Sequence, residues 1–319
     1  PSPIHSVKIF YTDHYVLPLP AGHRFPMAKY SLLRQRVEEA RLAGEGALRE
    51  PHAATDEEIL RAHDHGYLER VASGQLSARE LRRIGFPWTP QMVERSRRSA
   101  GATIEACRAA LDEGVGVNLA GGTHHAFRDH GEGYCVFNDS AIAALAMQAE
   151  GRARRTVILD CDVHQGNGTA SILANDATVF TLSIHAAKNF PFRKEASDID
   201  IELPDGTSDV GYLYVLEQGV RDALAASQPD LAIYLAGADP YVGDRLGRLS
   251  LTKKGLQARD FKVFELCRTA SVPVAVVMAG GYSSDIVDTV DIHFATVEIA
   301  ASFWRAAQRP AAFPAARQI

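Results

Sequence analysis

Six short apolar runs, rich in β-branched residues, punctuate this chain: Val7–Tyr11, Val115–Leu119, Thr156–Leu159, Val179–Ile184, Leu231–Leu235 and Val274–Met278. Near-continuous hydrophobicity over so few residues is the pattern of strands covered on both faces, as in a parallel sheet. Helical patterns separate them at Pro90–Glu113, Ser140–Glu150, Val210–Ala226 and Lys254–Thr269. Strand and helix in alternation predict a three-layer α/β/α fold around a central, mostly parallel sheet. No Ser/Gly-rich spacer, low-complexity tract or solenoid-period repeat interrupts the 319 residues, so one domain spanning 1–319 is expected.

The loops that leave these strands carry the chemistry. Val115–Leu119 runs into Gly121-Gly122-Thr123-His124-His125, and Thr156–Leu159 into Asp160-Cys161-Asp162-Val163-His164-Gln165-Gly166-Asn167-Gly168. Leu231–Leu235 leads to Gly237-Ala238-Asp239-Pro240, and Val274–Met278 to Gly280-Gly281-Tyr282. In open parallel sheets ligands sit at the carboxyl ends of strands, so these four loops are expected to converge on one cleft.

In extended backbone Asp160, Asp162 and His164 would share one face, which makes the run a metal site rather than a cap of turn-forming residues. Oxygen and imidazole ligands suit zinc or another divalent first-row ion. Asp162, His164 and Asp239 form a three-ligand set with a fourth position open to water or substrate. Of His124 and His125, one would act as general base toward a metal-activated water, and the other as partner for the developing charge. Asp160 is the natural orienter of one imidazole. Asn167 could orient the other without adding the negative charge that favours the protonated ring. Tyr282 would polarise a carbonyl opposite the metal, while Gly280 and Gly281 let backbone approach the substrate. Together these groups specify hydrolysis of a carbonyl compound, best an amide.

Composition narrows the setting. The chain is 46% hydrophobic and 23% charged with a net charge of -5, which offers no general electrostatic case for nucleic-acid binding. The clusters Arg95-Arg97-Arg98 and Arg152-Arg154-Arg155 are expected to be solvated helix faces. Four cysteines without a Cys-x-x-Cys pair fit thiols in a reducing compartment. No apolar stretch approaches the ~18 residues of a membrane span, so a cytoplasmic location and no membrane span are expected. Of the twelve histidines, His5, His14, His52, His65, His130 and His293 are set aside as without a role.

Five ordered motifs carry a resemblance that covers nearly the whole chain. They are Gly121-Gly122-Thr123-His124-His125-Ala126, Gly133-Tyr134-Cys135-Val136-Phe137-Asn138-Asp139, Asp160 to Gly168, Ala236-Gly237-Ala238-Asp239 and Gly280-Gly281-Tyr282. The chain resembles the histone deacetylase family of zinc amidohydrolases, with the arginase/deacetylase fold. That resemblance implies one zinc on Asp162, His164 and Asp239, His125 as general base, His124 as its electrostatic partner held by Asp160, and Tyr282 as carbonyl polariser. It further implies substrate contacts from the Gly133 carbonyl, from Tyr134 and Phe190 as walls of an acyl-lysine tunnel, and from Gly281. A structural potassium ion would lie on Asp160, Asp162, His164, Ser183 and Ile184. Asn167 and Ala279 depart from the Asp and the extra glycine of class I enzymes. Gly243-Asp244-Arg245-Leu246-Gly247-Arg248-Leu249-Ser250 is similar to class IV deacetylases and their bacterial relatives, some of which remove long fatty acyl groups.

The implied activity is removal of acetyl or longer acyl groups from N-acyl-lysine of proteins or peptides. A small acylated amine such as an acetylpolyamine is the alternative substrate, and it would call for acids such as Asp129, Glu132 or Asp244 at the cleft mouth. A non-catalytic metal-binding module has no need of a general base. Binuclear manganese ureohydrolases share the fold, but Gly166 and Pro240-Tyr241 stand where second-metal carboxylates belong. The segment from Asp13 to Tyr30, whose prolines Pro18, Pro20 and Pro26 favour a fixed loop, is expected at the pocket rim, as is a loop from Arg82 to Trp88.

Overall fold

The structure, a computed structural model, describes residues 6–42, 44 and 46–308. His5 lies outside the described residues. Eight parallel strands form one sheet: β1 (Lys8–Phe10), β2 (Leu48–Arg49), β3 (Val115–Asn118), β4 (Thr156–Asp160), β5 (Val179–Ala186), β6 (Ile199–Leu203), β7 (Leu231–Leu235) and β8 (Val274–Val277). Their order across the sheet is β2-β1-β3-β8-β7-β4-β5-β6. Ten helices occur among the described residues: α1 (Lys29–Glu39), α2 (Asp56–Leu60), α3 (His65–Ser73), α4 (Ala78–Ile84), α5 (Pro90–Glu113), α6 (Asp139–Ala149), α7 (Asn167–Leu173), α8 (Asp209–Ser227), α9 (Lys253–Thr269) and α10 (Ile286–Ala307).

Strand side chains alternate between two apolar cores, as the two-residue period of a pleated strand requires. Ile158, Ile233, Leu235 and Ala275 pack with α5 and α6, whereas Val157, Leu159, Ala232, Tyr234 and Val276 pack with α8, α9 and α10. Burial on both faces explains why the six runs read as continuous hydrophobicity rather than as alternation. β6 escaped that reading because it is an edge strand, with Asp200 and Glu202 alternating with half-buried Ile199 and Ile201. β2, two residues long at the opposite edge, offers no pattern at all.

Three expectations need correction. Arg82 to Trp88 is not wholly loop, because a capping box between Ser77 and Glu80 starts α4, and Gly85, with φ 86°, ends it. Arg95 is not on a solvated face: it is buried, with its guanidinium 4.3 Å from the Tyr30 ring centroid. Nor does extended backbone carry Asp160, Asp162 and His164, since β4 stops at Asp160. Two successive turns replace it, the Asp160 Oδ1 accepting the Asp162 N–H at 3.1 Å and the Asp162 Oδ1 that of His164 at 2.9 Å. No helix of the described residues is long and apolar enough to cross a membrane.

Candidate active site

The adjacent strands β3, β8, β7 and β4 deliver their loops to one cavity of about 600 Å³ at the carboxyl edge of the sheet. Its floor is Asp162, His164 and Asp239, all buried, with one ligand atom from each lying within 4.8 Å of the others. His164 Nδ1 is 2.9 Å from Asp162 Oδ1 and 3.2 Å from Asp239 Oδ2. Burial and the Asp162 charge push the Asp239 carboxyl up to about 7. Burial opposes charge on His164, yet the two carboxylates lift it to about 10. Both shifts come from burying two carboxylates against one imidazole, an arrangement that favours a bound cation.

Several features fit that cation being a metal. Apart from the His164 Nδ1 contact at 3.2 Å, Asp239 Oδ2 is buried with no hydrogen-bond partner, whereas its Oδ1 accepts the Val163 N–H at 2.9 Å. A Cβ on Gly280 would fall 2.0 Å from Asp239 Oδ2 and 2.6 Å from Asp162 Oδ2, so only glycine leaves the cradle open. The Gly280 N–H donates to Asp162 Oδ2 at 2.8 Å. Gly281 faces away, toward Thr289 and Ala238, and it does not line the cavity. The glycine that meets the site is therefore Gly280. The motif alone did not distinguish them.

Two histidines stand over the floor with ring centroids 4.1 Å apart. His124 Nδ1 donates to Asp160 Oδ2 at 2.6 Å, and His125 Nδ1 to Asn167 Oδ1 at 2.7 Å. Burial disfavours charge on His124, but Asp160 and Asp162 raise it to about 9. Burial and the charges on His124 and His164 push His125 well below its usual range, and the amide of Asn167 only partly offsets them. One ring is thus held as a cation and its neighbour as a neutral imidazole. Asp139 fixes their loop by accepting from the Gly122 and Thr123 N–H groups at 3.0 and 2.8 Å. Asn138 donates to the Ala126 carbonyl at 3.1 Å.

The walls come from other segments. Gly133 (φ 54°) passes so close to His125 that a Cβ would meet its ring carbon at 2.7 Å. Tyr134 lines one side, with its ring 6.0 Å from that of Tyr282. Phe190 lines the cavity with its ring 5.0 Å from His125, nearly perpendicular to it. Tyr282 is buried, and burial with Asp162 and Asp239 nearby raises its phenol well above the usual value, so it stays a protonated donor. Asp244 is no mouth acid: it accepts the N–H groups of Tyr282, Leu246 and Gly247 and braces this wall. Ser183 pairs in register with Asp160 behind the floor, and its hydroxyl lies 2.9 Å from His185 Nδ1. Ile184 follows it on β5, wholly buried.

Phe25 and Lys29, from the segment expected at the rim, line the cavity, and buried Lys29 places its ammonium 5.3 Å from the Tyr282 ring centroid. Sequence reading missed a contributor on α9. Arg259, fully buried on α9, donates to the carbonyls of Gly237 at 2.6 Å and Cys161 at 3.2 Å, joining the two loops that carry the acidic ligands. Its neighbour Asp260 accepts from Arg259, Tyr234 and Thr296. The adjacent Arg259-Asp260 pair in an otherwise apolar helix face was the available signal. Among the histidines set aside, His14, His52 and His130 pair with carboxylates, His65 is exposed, and His293 is buried beside Gly281.

A parallel-sheet hydrolase architecture with an Asp-His-Asp floor and paired histidines defines the class of protein. Residues 23–297 match the histone deacetylase domain, and the chain belongs to the histone deacetylase family. It is 42% identical to an uncharacterised protein of Picosynechococcus over 89% of this chain and 95% of that one. It is 30% identical to histone deacetylase 2 of Arabidopsis thaliana, over 88% of this chain and 76% of that one. The crystal structure of a deacetylase homologue from Aquifex aeolicus superposes with a TM-score of 0.80 at 24% identity, covering 93% of this chain and 84% of that one, a likeness of fold.

Proposed function

We propose that this chain is a zinc-dependent lysine deacylase, one catalytic domain spanning 1–319, that removes acetyl or longer acyl groups from proteins or peptides. The observation that carries this reading is the buried Asp162, His164 and Asp239 group beneath a neutral His125 and a protonated Tyr282. A zinc ion held by those three residues would supply Lewis-acid polarisation of the carbonyl and acidify a water. His125, with its Nδ1 proton committed to Asn167, presents Nε2 to take the water proton and later return it to the leaving lysine amine. His124, kept cationic by Asp160, stabilises the negative charge that grows as oxygen adds to the carbonyl carbon. Tyr282 donates to the carbonyl oxygen as charge builds there during addition, and that charge returns to the carbon as the C–N bond breaks. The Gly133 carbonyl would receive the substrate amide N–H between the Tyr134 and Phe190 walls. A structural potassium on Asp160, Asp162, His164, Ser183 and Ile184 accompanies the reading.

The resemblance of the stretch Gly243 to Ser250 supports a class IV-like branch, and its Asp244 and Arg245 grip the Tyr282 backbone. The class IV-like resemblance is what supports acyl groups longer than acetyl. Four free, buried cysteines support a reducing, cytoplasmic setting. A small acylated amine is the less favoured substrate, because Glu132 is the only one of the three proposed mouth acids to line the cavity. Turnover of lysine peptides that differ only in acyl length, before and after zinc removal verified by metal analysis, tests the proposal. Activity that survives complete removal of the metal overturns it.

A further inference from the structure

The entrance of the cavity draws cations from two separate parts of the chain. On the Tyr134 side, the last turn of α4 carries Arg82 and Arg83, and the carbonyls of Arg83 and Ile84 accept the N–H groups of Gly133 and Tyr134 at 3.1 and 2.7 Å. Those bonds fasten the two arginines to the tunnel wall. On the Phe190 side, Asn189 donates to the Leu246 carbonyl at 2.6 Å and accepts the Arg248 N–H at 3.0 Å, which brings Lys188 and Arg248 together. All four side chains are exposed and line the cavity. Glu132 is the single carboxylate in the same lining apart from Asp162 on the floor.

This placement runs against the charge of the molecule, which is net -5. Among the described residues Arg82, Arg83 and Lys188 have no carboxylate partner, and Arg248 meets only Asp205, at 3.1 Å in a solvent-exposed pair that competes weakly. Arginines in the last turn of a helix are favoured by its dipole, which accounts for Arg82 and Arg83 as structure. It gives no reason for Lys188 and Arg248, which line the same cavity from loops. Cations lining a low-dielectric cleft focus their field into its mouth and act most strongly on an approaching anion.

We infer that the substrate presents negative charge next to its acylated lysine: an acidic peptide segment, with Asp or Glu within a few residues of the modified side chain. The inference rests on the deacylase reading above. An acyl-lysine is itself neutral, so selection among peptides falls to the flanking residues, and these reach the rim where the four cations stand. Opposite charges across that rim raise the encounter rate and lower KM, and the gain weakens with salt.

The test uses the zinc-loaded full chain and peptides identical except for Asp/Glu, Asn/Gln or Lys/Arg beside the acyl-lysine, with a cationic acetylpolyamine alongside. The expected kcat/KM for the acidic peptide exceeds that for the neutral one by about tenfold at low ionic strength, narrowing to about twofold near ~0.5 M salt. The double variants R82E/R83E and K188E/R248E, checked for native melting, should each reverse the order of acidic and basic peptides. If either fails to fold, the salt dependence of the wild-type ratio decides. Equal turnover of all peptides, or preference for the basic peptide or the polyamine, overturns the inference and leaves amide hydrolysis intact. Absence of turnover on every peptide removes the deacylase reading, and this inference with it.

Discussion

The floor and the mouth of one cavity are built in opposite ways. On the floor, Asp160, Asp162, His124, His125 and Asp239 are all less than 5% exposed, and each makes a short contact with a named partner. At the mouth, Arg82, Arg83, Lys188 and Arg248 are exposed, and Phe192 is 88% exposed. The floor stands on strand ends, whose positions the whole sheet dictates, whereas the mouth stands on a helix terminus and two loops. The difference separates two jobs. Bond breaking requires groups fixed within a fraction of an ångström, and selection by charge requires only that the groups be near.

The largest expected effect lies on the floor. His125→Ala should lower kcat by about 10²- to 10⁴-fold, the range for a general base, while metal content remains unchanged. Steady-state turnover with metal analysis on the same sample checks it, and a near-normal rate would remove His125 from the mechanism. Next comes Arg259→Met, which leaves Asp260 buried and without its cation. Breaking a buried pair this way costs about 3–5 kcal/mol, read as a shift in denaturant midpoint, and zinc occupancy should fall as the Cys161 and Gly237 carbonyls lose their shared donor. The same substitution made at Arg83 should leave the midpoint within about 0.5 kcal/mol, because that guanidinium is solvated. Equal losses at the two arginines would erase the contrast between floor and mouth.

That contrast also explains what the amino-acid order discloses. The floor is legible because a parallel sheet sends every strand's carboxyl end to one edge, so Asp160, His164, Asp239 and His125 can be assembled from three runs without knowing a distance. The six strands buried on both faces are legible for the same reason, while β6 with Asp200 and Glu202 is not, because its hydrophobic signal is diluted at the sheet edge. The mouth depends on tertiary packing of segments far apart in sequence. Nothing local tells that Arg83 stands beside Tyr134, or that Lys188 neighbours Arg248. Gly280 shows a finer limit: two adjacent glycines look equivalent until the Cβ positions are built, and only one then collides with the carboxylates.

Asn167 permits a subtler break within the floor. Replacing it by Asp keeps an acceptor for His125 Nδ1 but adds a negative charge 2.7 Å away, which favours the imidazolium. Burial and the neighbouring charges now hold His125 well below its usual range, so the neutral base predominates at neutral pH. In Asn167→Asp its folded pKa rises, and the acid limb of the kcat/KM profile should move to higher pH by about one unit. Rates below that limb fall by up to about tenfold, and those well above it change little. An unchanged limb would mean that another group sets it.

The smallest effect belongs to the mouth. Phe192 makes an edge contact with Phe190, with ring centroids 6.3 Å apart, and otherwise faces solvent. Phe192→Ala therefore removes little from the folded state, and the melting temperature should stay where it is. A bound peptide that covers part of the ring would lose at most about 1 kcal/mol of apolar burial, which raises KM up to about fivefold without a change in kcat. A fall in kcat at constant KM would instead tie this exposed ring to the geometry of the His125 wall, and the mouth would then share in positioning as well as in selection.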